Sequence, residues 1–74
     1  MIFPTLSAAR LLGILKRLGY EVDRQGGSHR QLRAEGRPPL TFAFHDGVDV
    51  PPGLVRKILL KDVGLSEDEA RKIL

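Results

Sequence analysis

At 74 residues the chain has room for one domain, spanning 1–74, and one modest core, which excludes a large enclosed substrate pocket and points to a surface site. The lack of cysteine excludes disulfides, a thiolate nucleophile and thiolate metal sites; no signal-peptide pattern and no run of roughly 18 apolar residues is found, so the expected protein is soluble, cytoplasmic and without membrane contact. Twelve Lys and Arg against nine acids leave a net charge of +3 and a pI near 9.8, which turns the expected partner toward anions, nucleic acid first.

Ser7 is placed to cap a helix over Ala8 to Leu18 that stops at Gly19. Ala8, Leu11, Leu12, Leu15 and Leu18 form its apolar stripe, with Arg10, Gly13 and Arg17 opposite and Lys16 at the edge; a basic, solvated outer face is expected. Tyr20 to Gln25 alternates as a first strand and His29 to Ala34 reads as a second. A turn over Glu35 to Pro39 leads to a third strand, Leu40 to His45. There Leu40, Phe42 and Phe44 must face a core, and Thr41, Ala43 and His45 the other side. If Leu32 also points inward, His29, Gln31 and Arg33 share the open sheet face with His45, provided no bulge intervenes. Arg30 then points the opposite way.

Asp46 to Pro52 reads as a loop, with Pro52 in the first turn of a second helix. Leu54, Val55, Ile58 and Leu59 form the apolar face of that helix, Arg56, Lys57 and Lys61 its basic side, and Gly64 ends it. Ser66-Glu67-Asp68-Glu69 is a capping box for a short terminal helix in which Ala70, Ile73 and Leu74 can pack. The predicted class is α+β, a three-stranded antiparallel sheet covered by helices on one face. A domain this small would gain stability from a partner or from self-association.

The most reactive stretch is Gly26-Gly27-Ser28-His29-Arg30. Two glycines can turn the chain where other residues resist, and a hydroxyl, an imidazole and a guanidinium follow directly. Together these groups can hold a phosphate and move a proton near neutral pH. No helix N-terminus follows, so this is not a P-loop. Tyr20, Phe42 and Phe44 are expected in the core rather than stacked on bases.

In this order the chain resembles the HicA family, the small toxins of HicA–HicB toxin–antitoxin pairs. The resemblance is carried by Leu6-Ser7 before the first helix, Leu18-Gly19-Tyr20, Arg24-Gln25 and Gly27-Ser28-His29. It continues through the Leu40-to-His45 strand, Gly53, Arg56, Ile58-Leu59 and Gly64-Leu65-Ser66. It implies an α-β-β-β-α fold like a double-stranded-RNA-binding domain with a short C-terminal helix, mRNA cleavage by a small endoribonuclease, His29 as catalytic residue and a HicB-like antitoxin as partner. Three departures stand out. Ala8-Ala9 replaces a frequent Gly-Lys, Ala43 stands where proline is common, and the stretch from Ile58-Leu59 to Gly64 is one residue longer, an addition expected at the helix end.

RNA brings its own nucleophile, the 2′-hydroxyl beside the scissile phosphate. Imidazole, with an unperturbed pKa of roughly 6.5, suits both the deprotonation of that hydroxyl and the protonation of the leaving 5′-oxygen. His29 is therefore the candidate acid or base, with His45 a possible second, and Ser28 is expected on a phosphate oxygen. Arg24, Arg30 and Arg33 are the candidates to offset transition-state charge, with Arg30 disfavoured by strand phase. No metal and no cofactor is expected, because the acids show no two-metal spacing and two isolated histidines make a poor ligand set. Taken alone, His29 reads as a structural histidine at a strand start and His45 as a hydrogen-bond partner of the next loop; the resemblance makes His29 catalytic. The alternative function is a non-catalytic RNA-binding module of the same fold. A helix-turn-helix DNA reader is opposed by the strand pattern directly after Gly19.

Overall fold

Ser7 caps the first helix as its position predicts: its Oγ accepts the Arg10 N–H at 3.1 Å, opening α1 (Ala8–Arg17). The computed structural model describes residues 2–27, 29–43 and 47–74. At the other end of α1 the chain turns through Gly19, whose φ of 101° is costly for any residue with a Cβ. That turn lets the Gly19 and Tyr20 N–H groups donate to the Lys16 and Leu15 carbonyls, both at 3.0 Å, in a Schellman closure. Ala8, Leu11, Ile14 and Leu15 are buried. Ile14 thus joins the predicted stripe, whereas Leu12 and Leu18 pack only at its margin.

Three strands follow, β2 (Glu21–Gly26), β3 (His29–Ala34) and β4 (Arg37–Ala43), forming an antiparallel sheet in that order. Leu32, Leu40 and Phe42 point into the core; Gln31, Thr41 and Ala43 are exposed on the other side. The third strand begins at Arg37, so the expected five-residue turn shrinks to Glu35 and Gly36. Pro38 and Pro39 lie inside β4, which is possible because β4 is an edge of this sheet and its pairing with β3 is irregular between Leu32 and Ala34. The expected extension of this strand through Phe44 and His45, and the core position of Phe44, fall outside the described residues.

Two elements were not legible in the sequence. Leu6–Ser7 (β1) pairs antiparallel with Asp49–Val50 (β5), inside the segment expected to be a loop. The pairing buries Leu6 and Val50 and ties the start of α1 to the approach of α2 (Pro52–Arg56). Pro52 takes the first helical position, as predicted. Val55, Ile58 and Leu59 are buried, but Leu54 is 42% exposed and leaves the predicted apolar face.

The last turns of the second helix, before Gly64, depart from α geometry. Lys57–Asp62 is wound as a π turn continuing α2, and the Val63 N–H donates to the Ile58 carbonyl, five residues back, at 2.9 Å. One residue inserted into an α-helix would rotate everything after it by about 100°. A wider turn accommodates such a residue, and Ile58, Leu59 and Val63 stay on the core side. The Leu65 N–H then donates to the Leu59 carbonyl at 3.0 Å.

The last helix, α3 (Glu67–Ile73), opens on the predicted capping box: Glu69 N–H to Ser66 Oγ at 3.1 Å, and Ser66 N–H to Glu69 Oε1 at 2.9 Å. These bonds hold the Glu69 carboxyl below its ordinary range. A lowered folded-state value means that the stabilisation is present above the ordinary Glu range and is lost as pH falls through the lowered one. The basic face of α1 is exposed as expected, and two of its cations also reach the far end of α3. Arg17 donates to the Ile73 carbonyl at 2.9 Å and Arg10 to the Leu74 carbonyl at 3.3 Å, so two cations meet the negative end of a helix. Arg17→Ala is expected to cost about 1 kcal/mol, read as a lower urea midpoint by far-ultraviolet circular dichroism; an unchanged midpoint would show the contact to be idle.

The result is an α+β domain in α-β-β-β-α order with a further C-terminal helix, its helices gathered on one face of the sheet. Among the described residues no helix is long and apolar enough to cross a membrane.

Candidate active site on the open sheet face

The sheet face turned away from the helices carries the candidate residue His29. Gly26 and His29 are cross-strand partners, and Gly27 leaves the pair with φ 58°, a value that favours glycine. His29 is exposed at the start of β3. Its partner on β4 is Ala43, and Gln31 lies opposite Thr41, so these four residues share one face.

Strict alternation along β2 would put Arg24 on the same side as Val22, whose partner is the buried Leu32. A β-bulge between Val22 and Arg24 reverses this. Val22 pairs with Leu32 and Arg24 with Gln31, so Asp23 is the extra residue and Arg24 turns to the open face. Arg24, Gly26, His29, Gln31 and Thr41 then line one cavity of about 250 Å³. Among the described residues Arg24 makes no ion pair, so its charge is available to a ligand.

The other two arginine candidates separate from this group. Arg30 is half-buried on the helix side of the sheet, opposite Phe42 on β4 and Gln25 on β2, as strand phase predicts. Arg33 shares the open face but lies four residues along β3 from His29, about 13 Å at the usual strand rise. There its guanidinium faces Asp23 at 3.9 Å, with Glu21 as its cross-strand partner. Among the described residues, Arg24 lines a cavity with His29. The remaining expectations, Ser28 on a phosphate oxygen and His45 as a second proton carrier, lie outside the described residues.

Gln31 and Thr41 were assigned no role from sequence. Alternation puts both on the open face, but only the register of three strands shows that they neighbour His29. Among the described residues no group of three or more His, Asp or Glu side chains is arranged to hold a metal ion.

Fold and face define a small α+β domain whose reactive side chains lie on an exposed sheet surface, not in an enclosed pocket. Residues 8–65, most of the chain, match the family model described as HicA toxin of bacterial toxin–antitoxin. The chain belongs to the HicA toxin family, and with it to toxins that are paired with an antitoxin. Neither curated proteins nor solved structures gave a significant match.

Proposed function

We propose that this toxin is an endoribonuclease that cleaves mRNA on the open sheet face, with His29 as acid or base and Arg24 as the cation on the scissile phosphate. The observation that carries the reading is the bulge at Asp23, which brings a guanidinium that makes no ion pair among the described residues into the cavity of an exposed imidazole. The substrate's 2′-hydroxyl loses its proton and attacks phosphorus. As the pentacoordinate phosphorane forms, a further negative charge develops on its oxygens, where a positioned guanidinium is most effective. The bond to the 5′-oxygen breaks, that oxygen takes a proton, and the product ends in a 2′,3′-cyclic phosphate. An imidazole can serve either proton step.

Every reacting group in this scheme belongs to the RNA or to a side chain. Purified protein is therefore expected to cleave RNA fully in EDTA and to leave cyclic phosphate ends, read by mass spectrometry of the fragments. Cleavage that starts only on adding Mg²⁺, or 3′-hydroxyl ends, would contradict it.

An exposed nuclease face must be covered when the toxin is restrained. A HicB-like antitoxin seated over His29 and Arg24 accounts for that, and the cytoplasm, where mRNA is, is the compartment implied.

A further inference from the structure

A second cavity of about 450 Å³ lies beyond the β4 edge, between Pro38-Pro39 and the π turn, where Lys57, Lys61 and Asp62 face the strand. Thr41 lines both this groove and the cavity of His29 and Arg24, so the two are neighbours at the edge of the sheet. Pro38 and Pro39 have no N–H to offer, which makes this edge a poor template for an added protein strand and leaves recognition to side chains. The wall is fixed from behind, since the buried Tyr20 donates its hydroxyl to the Pro38 carbonyl at 2.8 Å.

The charge is unevenly distributed. Lys57 Nζ lies 3.2 Å from Asp62 Oδ2, a pair five residues apart that the π winding brings onto one side of the helix. Lys61 is exposed and, among the described residues, makes no ion pair, so the groove keeps a net positive charge. An anionic chain suits such a groove.

We propose that a single RNA strand seated at His29 continues across Thr41 and over the β4 edge into this groove, where Lys61 holds one of its phosphates. The ligand is taken from the ribonuclease reading above. The consequence is a preference for RNA long enough to reach both places over a fragment that fills only the His29 cavity.

The test measures binding separately from cleavage. A 12-nucleotide single-stranded RNA spans about 40 Å even at the ~3.4 Å per nucleotide of a stacked duplex strand, more than the longest dimension of the domain, 33 Å. Its affinity is measured against salt in a His29→Ala background, with and without Lys61→Gln, and with Lys72→Gln as a control on α3. Loss of one phosphate contact should make the salt slope shallower by about 0.7 for Lys61→Gln, while Lys72→Gln keeps the parent slope. With His29 intact, Lys61→Gln should also narrow the preference for the 12-mer over a dinucleotide in kcat/KM. A slope unmoved by Lys61→Gln, or moved equally by Lys72→Gln, overturns the groove whatever happens to cleavage. The expected slopes together with a wild-type protein that never shortens RNA overturn the ribonuclease reading and keep the groove. Absence of binding by the His29→Ala parent overturns the groove, and absence of both binding and cleavage by wild type overturns both.

Discussion

His29→Ala is expected to reduce RNA cleavage by about two to four orders of magnitude, and to abolish growth arrest on induction, while the domain stays folded. The size of the loss follows from the proposed chemistry: one acid–base group contributes roughly 10²–10⁴-fold. The survival of the fold follows from the position of the residue. His29 is exposed at the start of β3, outside the buried cluster. Substitutions at such places usually change stability by no more than about 0.5 kcal/mol. A thermal midpoint near that of wild type, together with lost cleavage, would separate a missing catalytic group from a damaged fold. Wild-type cleavage by a folded His29→Ala protein would remove His29 from the mechanism.

Leu32→Ala is expected to fail in the opposite way. Leu32 is fully buried on the central strand, between Val22 and Leu40, on the reverse side from Gln31. Truncating a buried leucine costs about 2–5 kcal/mol, from lost transfer energy and the cavity left behind. At roughly 0.05–0.15 kcal/mol per residue, a domain of this length holds about 4–11 kcal/mol in all. The variant should therefore be substantially unfolded at 37 °C, and its activity should fall with its folded fraction. Urea denaturation measures the first effect. Activity at low temperature, scaled to folded protein, measures the second and should return toward wild type. Loss of activity in a fully folded Leu32→Ala protein would mean that the strand positions the site in a way burial does not describe.

Much of the fold could be read from local rules because those rules act locally. Ser7, Gly19 and Ser66 mark helix ends through bonds to neighbours a few residues away, Pro52 marks one through its fixed φ and missing N–H, and all four stand at helix ends in the structure. Leu32, Leu40 and Phe42 reveal the inner face of the sheet by alternation. Pairing between distant segments left no such sign. β1 and β5 are two residues each and join positions more than forty apart, too short for a pattern to show. The π turn illustrates a related limit: its residues carry no mark that separates it from α-helix, and only packing decides whether a helix widens.

The site was legible to the same extent. The phase of β3 separates His29 from Arg30, because alternation holds along that strand. Arg24 was one of three candidates. Its place depends on a bulge that carries no glycine and no other local mark in Val22-Asp23-Arg24. Alternation alone would have pointed Arg24 toward the core side, and Arg33 would have remained the better partner for His29.

The central claim is that this member of the HicA family is an enzyme acting on RNA rather than a domain that grips it. The direct measurement is incubation of purified wild-type protein with end-labelled single-stranded RNA, resolved on native and denaturing gels. The account predicts fragments on the denaturing gel that grow with time; a shifted band on the native gel with RNA of unchanged length on the denaturing one would contradict it.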